Sequence, residues 1–402
     1  MKQLFLIVVL LTVFAFSSFA QDTTEANELE KFKKEQAQGV QKEEETFQQY
    51  KAKVTKQFDD YAAEQERLFK EYTGQIEKKW GTKNVHTSST KEYVSYDSKY
   101  SSRSSINFEA GTAKIEILVT EVEAKNPKLI EQKLKEQVAQ LAVAKGGTDP
   151  LEKKNAVPPE EKSILAEQVL TKEGNPVTER TAKNFAEQTV QPAQVTQELV
   201  TGKDGIRRVV VGVQFPLVPN HVKKRATDFR EQVKKESERF GIDITLVFAI
   251  MHTESYFNPK AKSSAPAFGL MQLVPKSGAR DAYFFAHKVD TLVTGEYLYV
   301  PNNNIELGTA YLTKLLTVEF RGVRDPRSRI YCAISAYNTG PGNVAKAFTG
   351  KRNVTQALPQ INAMTSDQVF EHLKKNLPFD ETRSYIVKVS ERMGLYDEWS
   401  KE

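Results

Sequence analysis

The chain has 402 residues and a single cysteine, Cys332. One thiol excludes an internal disulfide and any metal cluster built on several thiolates. In a helical apolar stretch it reads as a small core residue. An excess of one charge is missing too. Lys+Arg 57 against Asp+Glu 52 gives a net +5 with no long basic run, so no nucleic-acid partner is expected. Long apolar runs are equally scarce. The run from Leu4 to Phe16 is too short for a membrane span and ends in Ser17-Ser18-Phe19-Ala20, with Ser18 and Ala20 at the two positions a signal peptidase reads. No cysteine follows this run, so lipidation is not expected. Residues 1–20 are therefore expected to be a signal peptide. The mature chain would start near Gln21 as an exported periplasmic protein, soluble or peripherally attached to the envelope; an uncleaved signal anchor is the other reading.

What remains is enough to build cores: 39% hydrophobic residues over a length that suits two or three domains. Residues 21–79 are rich in Glu, Lys and Gln, with apolar positions Phe47, Tyr50, Val54, Phe58, Tyr61, Leu68, Phe69, Tyr72 and Ile76 at steps of three and four. That spacing predicts an amphipathic helix, docked on something or simply a solvated spacer, with Gly74 and Gly81 breaking it around Trp80. Residues 80–217 mix periods. Ala113, Ile115, Ile117 and Val119 alternate as in a strand, while Leu129, Ile130, Leu134, Val138 and Leu141 follow a helix. Thr201-Gly202-Lys203-Asp204-Gly205 before Val209, Val211, Val213 and Phe215 is a hairpin signal. This segment reads as an α+β domain. Residues 218–402 read as mostly α, with helices at 221–240, 242–253, 305–320, 327–337, 367–375 and 382–393. An aromatic interruption from Asp281 to Pro301, centred on Thr294-Gly295, is expected to be a hairpin flap.

Leu246 to Met251 is apolar on every face, which predicts a helix buried inside its domain, and Glu254-Ser255 stands at its end. A carboxyl there loses water, which raises its pKa toward that of a general acid at neutral pH. An ordinary solvated helix end is the competing reading of Glu254 from periodicity alone. His252, one residue before that turn, reads as a packed or surface histidine. Trp80 reads as a packing residue. Tyr283, Phe284, Phe285, Tyr297 and Tyr299 would either stack on sugar rings or fill the underside of the flap.

Two further motifs follow Glu254-Ser255: Gly269-Leu270-Met271-Gln272 in a Pro/Gly/Ser-rich loop, and Ala336-Tyr337-Asn338-Thr339-Gly340 at the end of a helix. With Glu381-Thr-Arg-Ser-Tyr385, this order resembles the lytic transglycosylases of the soluble lytic transglycosylase (goose-lysozyme-like) superfamily. Lys91-Glu-Tyr-Val-Ser-Tyr96, Arg103-Ser-Ser-Ile-Asn-Phe108, Val218-Pro-Asn-His-Val222, Ala249-Ile-Met251 and Asp325-Pro-Arg-Ser-Arg329 extend the resemblance to the membrane-bound lytic murein transglycosylase C subgroup, from about Trp80 to the C-terminus. Three departures stand out: the lipid-bearing cysteine is missing, the helix before Trp80 is enlarged, and Pro266 stands where the wider family tends to carry Gly.

The resemblance implies an α+β multidomain chain, with a mostly α, lysozyme-like catalytic domain preceded by an α+β domain and a long N-terminal helix. It implies Glu254 as the catalytic acid and Tyr337 as the tyrosine that hydrogen-bonds and orients it. Ser263, Gln272, Val274, Asn338, Glu381 and Tyr385 would bind substrate. The implied reaction cuts the β-1,4 bond between N-acetylmuramic acid and N-acetylglucosamine in peptidoglycan without water, leaving 1,6-anhydro ends, and calls for no metal or cofactor. The partners expected are glycan strands, and a protein or a second copy at the N-terminal helix. Two rivals remain: a lysozyme-type hydrolase and a catalytically silent murein-binding scaffold. No second carboxylate among Asp281, Asp290, Glu296 and Glu381 falls in a pattern tied to a nucleophile or water base. Residues before Pro219 carry no recognisable acid/base set, so a fragment beginning there is expected to keep the chemistry.

Overall fold

The structure, a computed structural model, describes residues 23–263 and 266–400. The expected signal peptide lies outside the described residues. The chain divides into two compact units, Met1–Ala63 and Glu64–Glu402, and helix α1 (Thr23–Trp80) runs across that division.

In the first unit the helix shows water to nearly every described side chain; only Val54, Phe58 and Tyr61 of its apolar stripe are half-buried, and Tyr50 is exposed. From Leu68 the stripe continues at steps of four through Tyr72, Ile76 and Trp80, all buried, because i, i+4 positions share one face. Gly74 is accommodated on the exposed side without breaking the helix, and the stop falls at Gly81, whose φ of 77° is left-handed.

That buried stripe lies on one face of a five-stranded antiparallel sheet. Its strands are β1 (Glu92–Tyr96), β2 (Ser102–Asn107), β3 (Thr112–Val119), β4 (Thr196–Thr201) and β5 (Arg207–Pro216), in the order β1-β2-β3-β5-β4. Alternation sends Val94, Tyr96, Val200 and Val210 to the α1 face. Ile106, Ile115, Ile117, Val211, Val213 and Phe215 go to the other face. There they meet α2 (Pro127–Ala142) through Ile130, Leu134, Val138 and Leu141, and α4 (Ala182–Thr189) through Phe185 and Ala186. The short helix α3 (Pro150–Lys154) lies between them in sequence, its N-terminus capped by Asp149. The expected hairpin is present: β4 and β5 pair, with Thr201 opposite Arg207 across the Gly202–Ile206 turn. On the α1 face Arg103 is buried against the Trp80 ring, 4.5 Å from its centroid, and donates to Glu116 Oε2 at 2.8 and 2.6 Å.

The helical half follows: α5 (His221–Asp228), α6 (Arg230–Phe240), α7 (Ile244–Ser255), α8 (Arg280–His287), α9 (Gly295–Leu298), α10 (Pro301–Lys314), α11 (Pro326–Thr339), α12 (Pro341–Thr349), α13 (Val354–Asn362), α14 (Ser366–Asn376) and α15 (Asp380–Met393). Its core surrounds α7, of which Leu246 to Met251 are at most 1% exposed. The fold class is thus the expected one: a long N-terminal helix, a small antiparallel sheet with helices, and a lysozyme-like helical domain.

Two local expectations are corrected. The segment predicted as helix over 221–240 breaks at Phe229 into α5 and α6. The predicted β flap at 281–301 is helical: α8 and α9 occupy it, and among the described residues the only bridges in this half are the isolated ones that join Phe268 to Lys262 and to Leu273. Thr294-Gly295, read as a turn, is a helix start, because the Thr294 hydroxyl accepts from the Tyr297 N–H. No described helix is long and apolar enough to cross a membrane.

Candidate active site

Asp243 caps α7 by accepting from the Thr245 N–H, and the apolar body of the helix threads the core, so its last turn is held at a fixed place. Glu254 sits in that turn. Its carboxylate Oε1 accepts a 2.6 Å hydrogen bond from the Tyr385 hydroxyl on α15. Desolvation pushes the Glu254 pKa up to about 8; the bond from Tyr385 opposes the rise and the negative charge of Glu381 adds to it. None of the described ion pairs includes Glu254. At neutral pH the carboxyl is therefore mostly protonated, the state a proton donor needs. The solvated helix end considered above does not describe this group.

The adjoining Ser255 is fully buried and points the other way, donating to Leu270 O at 2.7 Å and tying α7 to the Gly269–Gln272 loop. That loop is pinned from α10. Asn304, with no exposure, accepts from Met271 N at 2.8 Å and donates to Phe268 O and Leu298 O at 2.8 and 2.9 Å. Gly269 has a left-handed φ of 76°, and a Cβ there would lie 2.4 Å from Asn304 Nδ2. Gly308 makes room for the Met271 side chain, since a Cβ on it would stand 2.1 Å from Sδ. Gln272 is itself left-handed at φ 47° and donates to Gly269 O. Its Oε1 is buried with no protein partner, an open acceptor beside the site.

One assignment of roles changes. Tyr337 was expected to bond the acid, yet its hydroxyl donates to Met271 O at 2.8 Å, and the bond to Glu254 comes from Tyr385. The reason lies in the loop: the Met271 carbonyl is presented to α11 by the Asn304 clamp and takes the one proton Tyr337 has to give. Tyr337 nonetheless lies close enough for Glu254 to affect it. Burial, and after it the Glu254 charge, holds its phenol well above the ordinary range. Asn338 donates to Glu381 Oε1 at 3.3 Å and accepts from Thr382 Oγ1 at 2.6 Å, which fastens α11 to the start of α15.

The structure thus gathers Glu254, Tyr385, Tyr337, Glu381 and Asn338 around one end of α7, with Gln272 next to the Met271 carbonyl. Ser263 and Val274 flank the loop at its two ends, half-buried, with no described hydrogen bond to Glu254 or Tyr385. Asn304 and Gly308 were not singled out from sequence, and Ser255 only as part of the Glu254-Ser255 motif. For Asn304 the available signal was a polar residue next to the apolar positions Ile305, Leu307 and Leu312, consistent with a buried hydrogen-bonding post. Of the five aromatics near the expected flap, Phe284 is exposed at 53% while Tyr283, Phe285, Tyr297 and Tyr299 pack under α8 and α9. His252 is packed, bonded through Nδ1 to the Tyr396 hydroxyl, and burial lowers its pKa to about 3, so it stays neutral.

Residues 231–358 match the family model of the transglycosylase SLT domain, and residues 42–228 match that of the membrane-bound lytic murein transglycosylase C N-terminal domain. The chain is 36% identical over 322 residues to membrane-bound lytic murein transglycosylase C of Sodalis glossinidius (strain morsitans), covering 80% of this chain and 87% of that one. It is 36% identical over 324 residues to the protein of the same name from Serratia proteamaculans (strain 568), covering 80% and 86%. Among solved structures it is similar to an inactive mutant of lytic transglycosylase Slt from Pseudomonas aeruginosa, at 31% identity and TM-score 0.33 over 42% of this chain and 24% of that one. It is also similar to the 70 kDa soluble lytic transglycosylase of Escherichia coli, at 26% identity and TM-score 0.33 over the same shares. The matched region therefore spans about a quarter of those two structures' length. The chain belongs to the membrane-bound lytic murein transglycosylase C family and is a peptidoglycan lytic transglycosylase.

Proposed function

We propose that Glu254 is the single general acid and base of a water-free cleavage between N-acetylmuramic acid and N-acetylglucosamine. The protonated carboxyl gives its proton to the glycosidic oxygen as the bond to muramic C1 breaks, leaving an oxocarbenium-like centre. The carboxylate so formed takes the proton of the C6 hydroxyl, and O6 bonds to C1, closing the 1,6-anhydro ring and restoring Glu254. Tyr385 keeps the carboxyl in one orientation through both halves of this cycle, and the Gln272 Oε1 acceptor, with Asn338 and Glu381, binds sugar. Ser263 and Val274 line the sugar groove beyond them, and Tyr337 acts through the Met271 carbonyl.

The observation that carries this reading is the Glu254 carboxyl at the end of the buried helix α7, accepting from the Tyr385 hydroxyl at 2.6 Å and included in none of the described ion pairs, with desolvation raising its pKa to about 8. Of the other carboxylates expected near it, Asp281 pairs with Lys314, Asp290 with Arg280 and Glu296 accepts from Gln65, while Glu381 lies at the site and accepts from Asn338. A lysozyme-type hydrolase is the second reading, favoured by Glu381, whose charge reaches Glu254. We assign the chemistry to residues 218–402, placement on the sacculus to 80–217, and attachment to a partner or a second copy to the helix of 21–79. Residues 1–20 would export the chain to the periplasm. Mass spectrometry of products from purified murein decides between the readings. New glycan ends should all be 1,6-anhydro; muramic ends one water heavier would overturn the transglycosylase cycle in favour of hydrolysis.

A further inference from the structure

The residues just after Glu254 carry unusual backbone. Tyr256 and Phe257 are both left-handed, at φ 50° and 59°, and neither is glycine. Such residues cost on the order of 1–3 kcal/mol each and persist only where their surroundings over-determine them. The surroundings here come from both halves of the second unit. Arg225 on α5 donates Nε to Tyr256 O at 3.0 Å and Nη2 to Phe257 O, and its buried guanidinium lies 3.4 Å from the centroid of the Phe108 ring. The Tyr256 hydroxyl donates to Glu109 Oε1 at 2.8 Å, and Glu109 is paired with Lys91 at 2.6 Å. Phe108 and Glu109 are consecutive residues of the β2–β3 turn. On the far side Arg392 donates to the Tyr256 hydroxyl at 2.8 Å and to Thr253 Oγ1 at 3.0 Å. Arg392 is two helical turns beyond Tyr385 on α15, so one helix face holds both the carboxyl of Glu254 and the turn behind it.

We propose that Glu109 and Tyr256 are positioning residues for Glu254: the β2–β3 turn of the sheet domain holds the left-handed turn that follows the catalytic helix, and so sets the orientation of the acid. Phe108 contributes through Arg225. The proposal rests on the reading of Glu254 as the proton donor. Neither residue touches the carboxyl; each fixes the chain within two residues of it, and a catalytic group misplaced by about 1 Å costs on the order of 10²-fold in rate. A fragment beginning at Pro219 keeps Glu254 but loses the ring under Arg225 and the acceptor of Tyr256.

The test uses the full chain on soluble glycan strands, with Glu109→Ala, Glu109→Gln and Tyr256→Phe beside the wild type. Glu109→Ala and Tyr256→Phe should each lower kcat about tenfold while KM stays within twofold. Glu109→Gln, which still offers Tyr256 an acceptor, should recover most of that loss. Thermal melts identify any variant that has simply unfolded; if Glu109→Ala does so, Tyr256→Phe, which removes only the hydroxyl, carries the test. Unchanged kcat in Glu109→Ala and Tyr256→Phe overturns the proposal. So does a loss confined to KM, which would make the turn a sugar contact, and so does Glu109→Gln as impaired as Glu109→Ala. If the wild type yields reducing rather than anhydro ends, the underlying reading of the reaction fails instead, whatever these variants do.

Discussion

Glu116 in the sheet is buried and Glu254 in the helical half is half-buried; both lose hydration of their carboxyls, and they end in opposite states. Burial pushes Glu116 up, but the Arg103 guanidinium and the Lys114 ammonium outweigh it and hold the carboxylate below its ordinary range. Glu254 is also raised by desolvation, with only the Tyr385 phenol opposing it, and it rises to about 8. Desolvation is common to both; the partner decides whether the group is a fixed charge or a proton store. Cations fix the charge of Glu116, whereas none of the described ion pairs includes Glu254, the residue we propose as the acid.

The comparison is broken most severely at Glu254 itself. Glu254→Gln should lower turnover about 10³-fold, within the usual range for loss of a general acid, measured as anhydro ends released from glycan strands. The same variant should gain stability relative to wild type, more at pH 9 than at pH 6. The folded pKa of about 8 lies above the unfolded carboxyl value, so the wild type's proton-linked stability is full below that unfolded value and is lost as pH rises through 8. Urea melts at the two pH values check this sign.

At Glu116 the prediction runs the other way. Arg103→Met leaves a buried carboxylate short of its main partner and should cost about 3–5 kcal/mol in urea unfolding. Glu116→Gln in the same chain should recover part of that. Because the Glu116 pKa is depressed, its stabilising contribution is present above the unfolded value and fades as pH falls through the folded one. The Arg103→Met penalty should therefore shrink in acid.

Tyr385→Phe sharpens the contrast more gently. Its hydroxyl is the one group that favours the charged form of Glu254, so removing it should raise the carboxyl pKa further and move the alkaline limb of the kcat profile to higher pH. A loss of about tenfold in kcat is expected for one hydrogen bond to a reacting group. The smallest effects belong to Asp281→Asn and Asp290→Asn, which remove peripheral ion pairs to Lys314 and Arg280. Turnover within twofold of wild type is expected for both, and a larger loss in either would point to a second carboxylate in the reaction.

Periodicity alone left Glu254 either a desolvated carboxyl or a solvated helix end; the ordered motifs at Glu254-Ser255, Gly269-Gln272 and Ala336-Gly340 singled it out as the proposed acid. Strand β3, helix α2 and the β4–β5 hairpin were legible because period and turn residues agreed. The partner of the acid was not. Tyr337 and Tyr385 are both tyrosines in helices with the right neighbours, and only the position of the Met271 carbonyl, set from a distant helix by Asn304, decides which phenol is left for Glu254. The region around α8 and α9 misled because aromatics at 283–285 carry strand propensity and Thr294-Gly295 reads as a turn, while the Thr294 hydroxyl caps a helix there. The contact from Glu109 to Tyr256 spans 147 positions and leaves no periodic trace at all.

Gly308 and Met271 behave as a single character divided between two places in the chain. The methionine occupies the volume a methyl group on residue 308 would need, so neither position is free to drift alone. An alanine at 308 would press on the thioether, and through it on the carbonyl that Tyr337 reads. Either the methionine side chain shifts to make that room or residue 271 becomes smaller, so a change at one position is felt at the other and in the loop between Ser263 and Val274.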